Sequence, residues 1–475
     1  MRVGLGNVSP TRAAYLVPVL VALLLYACGG YGSGSGMSGG VAPTINLSVQ
    51  PTTIVAGQSA TLTWSSGNAA SCVASGAWSG NEATSGQMAV TPAAAGDSSY
   101  TLTCSSVMGS YGGSMSSAKS VTLTVTAATQ FVAKRLVADS ASGTATVDAN
   151  LVNPWGIAAL PNAPMWVANN HSDTSTIYDG NGVPQPAGGP LVVQLPQGAG
   201  AVSFDPTGIV ANTTTDFVIS VGGAGGASGP ALFIFCGEGG MLAGWSKDVD
   251  ISHAVLAYTD TGGAIYKGLA LANNGSGNFL YVTDFHNNKI DVFNSAFTRQ
   301  TTSATSFSFK DPALPAGYAP FGIQAFATGA SGAMQLYVTY AKQQPPDNED
   351  DEAGAGLGLI DIFDTNGTFV KTLVMPGGAL NAPWGLSLAP SDFGTLSKAL
   401  LVGNFGDGRI NGYDSASGAF LGTLATSGGA FTAPGLWGIA FGNDALSQPH
   451  NTLFFAAGPN DEANGSYGRV DLPPQ

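Results

Sequence analysis

Basic side chains are scarce in this chain. Fifteen Lys and Arg stand against 29 Asp and Glu, so the formal charge is −14 and the isoelectric point lies near 4.4. Nucleic acid needs Lys and Arg to displace the counterions of its phosphates, and this composition excludes it as a partner. Charge of either sign is sparse, at 9% of residues, whereas 44% are hydrophobic, a balance that a disordered chain does not have. Histidine occurs four times, at His171, His253, His286 and His450, with no pair at zinc-ligand spacing. No nucleophile motif stands out. The apolar stretch Ala13–Ala27 falls short of the roughly twenty residues a transmembrane helix needs. The acidic run Asp347–Glu352 lacks the alternating ligands and central glycine of an EF-hand loop. It reads as a solvated loop tip, with weak divalent-cation binding as the alternative.

Glycine, by contrast, is abundant, and six glycines mark a repeat. A turn-former, a variable residue, Gly and an apolar pair recur as NPWGIA, DPTGIV, YKGLALA, APFGIQ, APWGLS and GLWGIA. The glycines are Gly156, Gly208, Gly268, Gly322, Gly385 and Gly438, spaced by 52, 60, 54, 63 and 53 residues. Within each period follow short runs rich in Val, Ile, Tyr and Phe, bounded by Gly, Asn and Asp, which predict strands joined by tight turns. The second-strand runs are MWVANN, FVISVG, FLYVTDF, QLYVTYA, ALLVGNF and TLFFAAG. Four strands per period and six periods predict an all-β six-bladed β-propeller over residues 130–475. The last period ends at its third strand, and FVAKRLVAD (Phe131–Asp139) is expected to supply the missing outer one.

Ahead of the repeats the chain changes character twice. Arg2 and Arg12 precede the apolar stretch, and Leu25-Tyr26-Ala27-Cys28 resembles a bacterial lipobox. That resemblance implies a signal peptide over residues 1–27, lipid on Cys28 and an outer-membrane or cell-surface location, with a Gly/Ser tether over 28–40. Residues 41–127 carry alternating runs and a central Trp64, predicting a small β-sandwich similar to bacterial immunoglobulin-like domains. Cys72 and Cys104 fall inside it and are expected to form a disulfide in an oxidising compartment, although the antibody order of Cys before Trp is not kept. Cys236, in ALFIFCG, is expected as a buried hydrophobe.

The repeats resemble those of NHL-type propellers, most clearly YKGLALA followed by LYVTDFHNNKIDVF. LVNPWGIA, PAGYAPFGIQ, GAGLGLIDIFD, GGALNAPWGL, LLVGNFGDGRI and AGPNDEANG are more specifically similar to an uncharacterised bacterial propeller family, some of whose members end in a PEP-type sorting tail. Lipid on Cys28 is expected to serve as the anchor in place of such a tail, and the family brings no activity with it.

Two candidate sites follow from the expected ring. The residues before the repeated glycines are Trp155, Thr207, Lys267, Phe321, Trp384 and Trp437. Converging at the axis, the aromatics and Lys267 would form a cup for a sugar ring or a cation; the alternative is that they wedge between blades. Strand ends on the same face add Asn404 and Arg409 as binding candidates. Asn169, Asp284, Asp461 and Glu462 are candidate oxygen ligands for Ca²⁺, and Asp284 with His286 is a candidate acid/base pair. Asn-Asn and Gly-Asp-Gly are also ordinary turn chemistry. The expected function is an envelope-anchored head that binds a glycan, peptide or small ligand at the channel mouth. The alternative is a metal-dependent hydrolase or lyase of the propeller-lactonase kind.

Overall fold

The computed structural model describes residues 41–474 apart from 93, 108–112, 142–145, 224 and 304–305. The expected signal peptide, the lipid site at Cys28 and the tether lie outside the described residues. Nearly all regular structure is strand, and three short 3₁₀ turns at Asn170–Ser172, Ala330–Gly332 and Gly394–Leu396 are the helical elements among the described residues.

Residues 44–126 form a two-sheet sandwich. One sheet pairs Thr44–Gln50, Ala60–Gly67 and Ser85–Val90; the other orders Thr53–Val55, Ser116–Thr126, Gly96–Ser105, Ser71–Gly76 and Gly80–Glu82. Period-two alternation buries Leu47, Val49, Leu62, Trp64, Leu102 and Leu123 between them. Trp64 and Trp78 meet edge to face at 5.2 Å. Cys72 and Cys104 are joined, and they are register partners on neighbouring strands of one sheet. The bond therefore staples a strand pair instead of bridging the two sheets, which is why the order of Cys and Trp is unlike that of antibodies.

The rest of the chain is propeller-type: among the described residues six sheets follow one another, each running from an innermost strand outward and antiparallel except where Gln130–Ala138 pairs parallel with Thr146–Val147 and Ala425–Thr426. The innermost strands are Pro154–Ala158, Pro206–Ala211, Tyr266–Asn273, Tyr318–Phe326, Pro383–Leu388 and Leu436–Phe441. Each packs against the next, and the last packs against the first. Apolar clusters fill every gap between successive sheets: Trp166, Phe233 and Trp245 between the first two, for example, and Met165, Phe454 and Tyr467 between the sixth and the first. Both faces of each sheet are thereby covered. Gln130–Ala138 pairs antiparallel with Ser466–Asp471, so the strand preceding the first repeat completes the sixth sheet, as expected.

The repeated glycines have a common cause. Each sits at a register shift in its inner strand. A Cβ on Gly156 would stand 2.6 Å from the carbonyl oxygen of Thr207, on Gly268 2.8 Å from that of Phe321, and on Gly385 2.5 Å from that of Trp437. Gly322 faces Trp384 in the same way, and Gly438 faces Trp155. The phrase recurs because neighbouring sheets approach too closely there for any side chain.

Two expectations need correction. In the second period FVISVG is not the second strand: Val218–Ser220 pairs with Ser228–Pro230 in a separate ribbon, and Phe233–Gly237 pairs with the inner strand. Val218 and Ser220 are exposed and only Ile219 is buried, so the ribbon is a half-covered excursion that an apolar run alone did not distinguish from a sheet strand. Among the described residues the third sheet has three strands, with a bridge from Phe293 to Arg299 where a fourth was expected.

Candidate functional site: a charged mouth over an aromatic hub

The residues preceding the repeated glycines do meet at the axis. Trp155 and Trp437 stack with ring centroids 3.4 Å apart; Trp384 stands edge-on to both, at 5.8 and 5.9 Å. Phe405 stacks on the other face of Trp437 at 4.0 Å, and Phe321 closes against it at 5.8 Å. Trp155 and Trp437 are each 2% exposed and Phe321 not at all. The expected cup is therefore a plug: the rings satisfy one another, and their faces are not open to a sugar. Trp384, half-buried, donates its indole N–H to the carbonyl of Lys267 at 3.0 Å and borders an axial cavity of about 40 Å³. Thr207 donates to the carbonyl of Tyr266 at 2.7 Å, and Cys236 is buried beside it, as expected, its thiol pushed up to about 12 by burial.

Lys267 is the charged member of the hub. Its ammonium lies 5.3 Å from the centroid of Trp155 and donates to Glu238, with Asp350 at 3.9 Å. Burial works against ionisation of both Lys267 and Glu238. Their mutual attraction outweighs it, holding the lysine above and the carboxylate below their ordinary ranges, with Asn170 donating to Glu238 at 2.9 Å. Around the plug, Asn153 donates to Glu462 at 3.0 Å, and Trp437 donates to both at 3.2 Å. Burial raises the Glu462 carboxyl above its usual range and does the same to Asp205.

Above this floor a pocket of about 570 Å³ opens between the second and third sheets. Its wall includes Asp205, Glu238, His286, Glu349 and Asp350. The last two belong to the acidic run, which folds over the mouth: His286 Nδ1 lies 2.9 Å from the Asp347 carbonyl, and Gln343 donates to the Phe285 carbonyl at 2.6 Å. Asp347, Glu349 and Asp350 are exposed, as a loop tip should be, but Asp351 turns inward. Burial pushes its carboxyl up to about 7, and its Oδ2 has no hydrogen-bond partner.

The remaining candidates are engaged locally. Asp284 is fully buried, 2.9 Å from Lys289, and accepts from Asn287 at 2.9 Å. Asn169 donates to Thr174 and Thr176. Asn404 donates to Ala379 and Asp407, and Arg409 is an exposed turn residue whose amide caps Asp407. Asp461 is exposed, with left-handed backbone, φ 50°. Asn169, Asp284, Asp461 and Glu462 come from three different sheets and do not build a Ca²⁺ cage; among the described residues no three His, Cys, Asp or Glu side chains stand together as a metal-holding group.

Glu238 was not foreseen from the sequence. Gly237 pairs with Pro206 as Asn169 pairs with Pro154, so Glu238 holds the place of Asn170. The signal was present in FCGEGG and was hidden by placing the second strand one run too early.

A ring of sheets closed on an aromatic plug, with an acidic pocket at one mouth, defines the class: an all-β, propeller-type protein. More particularly, the chain belongs to the family of two mimivirus proteins. Uncharacterized protein R648 of Acanthamoeba polyphaga mimivirus is 34% identical over 349 residues, covering 70% of this chain and 78% of the relative. Uncharacterized protein L690 of the same virus is 33% identical over 333 residues, covering 68% and 81%. These relatives are viral, where the sequence resemblance pointed to bacterial ones. No family model matches the chain. Among solved structures, virginiamycin B lyase from Staphylococcus aureus is similar at 14% identity and a TM-score of 0.41, covering 72% of this chain and 100% of that one.

Proposed function

We propose that the protein is an envelope lipoprotein whose six-bladed propeller head, carried on an immunoglobulin-like domain, binds a ligand bearing a cationic group at the acidic mouth. The carrying observation is the pocket itself: four carboxylates, Asp205, Glu238, Glu349 and Asp350, wall a cavity large enough for a small organic group. Lys267 pairs with Glu238 and lies 3.9 Å from Asp350, so one cation faces these two carboxylates, and Asp205 and Glu349 stand on the wall without an ion partner among the described residues. An ammonium or guanidinium on a glycan or peptide would be drawn by the field of the mouth and held by charge-assisted hydrogen bonds. The Cys72–Cys104 disulfide supports an oxidising compartment, in line with the lipobox-like Leu25-Tyr26-Ala27-Cys28.

A metal-dependent hydrolase or lyase gains no support from the candidates the sequence offered, since Asp284 is committed to Lys289 and Glu462 to Asn153 and Trp437. The experiment is a binding screen of the full chain against basic and neutral peptides and glycans, run beside the charge-reversed variant Asp205→Lys/Asp350→Lys. Retention of cationic members alone, lost in the variant, supports the proposal. Indifference to ligand charge overturns it.

A further inference from the structure

The third and fourth sheets carry the same aspartate at the same register. Val282 pairs with Leu269 on one side and Asp291 on the other; Val338 pairs with Ile323 and Asp361. Asp291 is fully provided for: Lys289 lies at 2.6 Å, Arg299 at 3.6 Å, and Tyr266 donates to it at 3.0 Å. Asp361 has no such provision. The position of Lys289 is taken by Leu359, and that of Asp284 by Tyr340. Asp361 is completely buried and has no cationic partner; the hydroxyls of Tyr340 and Thr372 lie beside its carboxyl in place of one. A buried carboxylate left unpaired is costly, and its neighbours here are Tyr340, Thr372 and a second acid, Asp311.

Two of those neighbours open outward. Tyr340 and Asp311 line a cavity of about 320 Å³ between the third and fourth sheets, whose apolar wall is formed by Ile290, Phe307, Phe309, Leu314 and Pro320 and whose remainder is polar. Lys289 and Lys310 also border it, but Lys289 is held by Asp284 and Asp291, and Lys310 is exposed. The cavity thus offers a partly apolar lining with the Asp311 carboxyl on its wall and Asp361, which has no cation of its own, next to it. We propose that it binds a small organic ammonium ion with an apolar body, the ammonium seated against Asp311 and Tyr340 on the wall and compensating the charge of Asp361 next to them. This site is separate from the mouth and does not depend on the function proposed there.

The test is a calorimetric titration of the full chain with benzylammonium chloride and with neutral benzyl alcohol. The expected result is saturable binding of the ammonium, tighter than the alcohol by about tenfold or more. That preference disappears in Asp361→Asn. It disappears also in Leu359→Lys, which gives the fourth sheet the cation that the third already has, and which keeps the test decisive should the first variant not fold. Equal binding of the two probes, no saturable binding of the ammonium, or a preference that survives either folded variant overturns the proposal.

Discussion

The indoles of Trp155 and Trp437 lie face to face at 14°, joining the first repeat of the head to the last. They come from sequence positions almost three hundred residues apart, so this contact forms only when the ring closes. Trp437→Ala removes the stack with Trp155 and Phe405 and leaves a hole in the hub. The expected loss is about 3–5 kcal/mol of stability, measured by chemical denaturation.

Close approach of neighbouring sheets makes Gly385 irreplaceable. Gly385→Ala drives a methyl into the Trp437 carbonyl, and about 1–3 kcal/mol of destabilisation is expected. Gly378, which has open space around it, is the control: Gly378→Ala stays within about 0.5 kcal/mol by the same assay.

Lys267 and Glu238 stand or fall together. Lys267→Met leaves the Glu238 carboxylate in the pocket wall without its counter-charge, and a loss of about 3–5 kcal/mol follows. Glu238 then titrates above its present value, because burial is no longer opposed. The double variant Lys267→Met/Glu238→Gln regains most of the loss, since no uncompensated charge remains; thermal melts of the three proteins decide it.

Stability should fall with rising pH through the titration of Asp361. Burial pushes this carboxyl up to about 7 in the folded protein, against about 3.9 unfolded. The folded state therefore holds a proton that the unfolded state gives up, and the associated stability is fully present below about pH 4 and lost as pH rises through 7. Asp361→Asn is expected to leave stability at pH 4 nearly unchanged and to raise it at pH 8 by on the order of 3 kcal/mol. Urea titrations at the two pH values make the comparison.

The head was legible in the sequence because its cause is local and repeated. A glycine that cannot carry a side chain at the inter-sheet contact leaves the same mark six times, and Asn153 and Asp205, at the start of their phrases, take the left-handed backbone those residue types tolerate (φ 45° and 46°). The convergence of Trp155, Trp384 and Trp437 followed from the repeat register. Their burial did not, because whether an aromatic at an axis is a wall or a plug depends on how many others reach it. The acidic pocket was least legible. It brings Asp205 and Glu238 beside a loop inserted more than a hundred residues later, a proximity no local pattern encodes, and the ribbon at Val218–Ser220 displaced the one register that pointed to Glu238.

The most direct test of the mouth is a calorimetric titration with a matched pair of ligands: one oligosaccharide carrying free ammonium groups and the same oligosaccharide N-acetylated. The predicted result is binding of the ammonium form at least about tenfold tighter, with the difference erased in Asp205→Asn/Asp350→Asn. Equal affinity for the two forms, or a preference that persists in that variant, would contradict it.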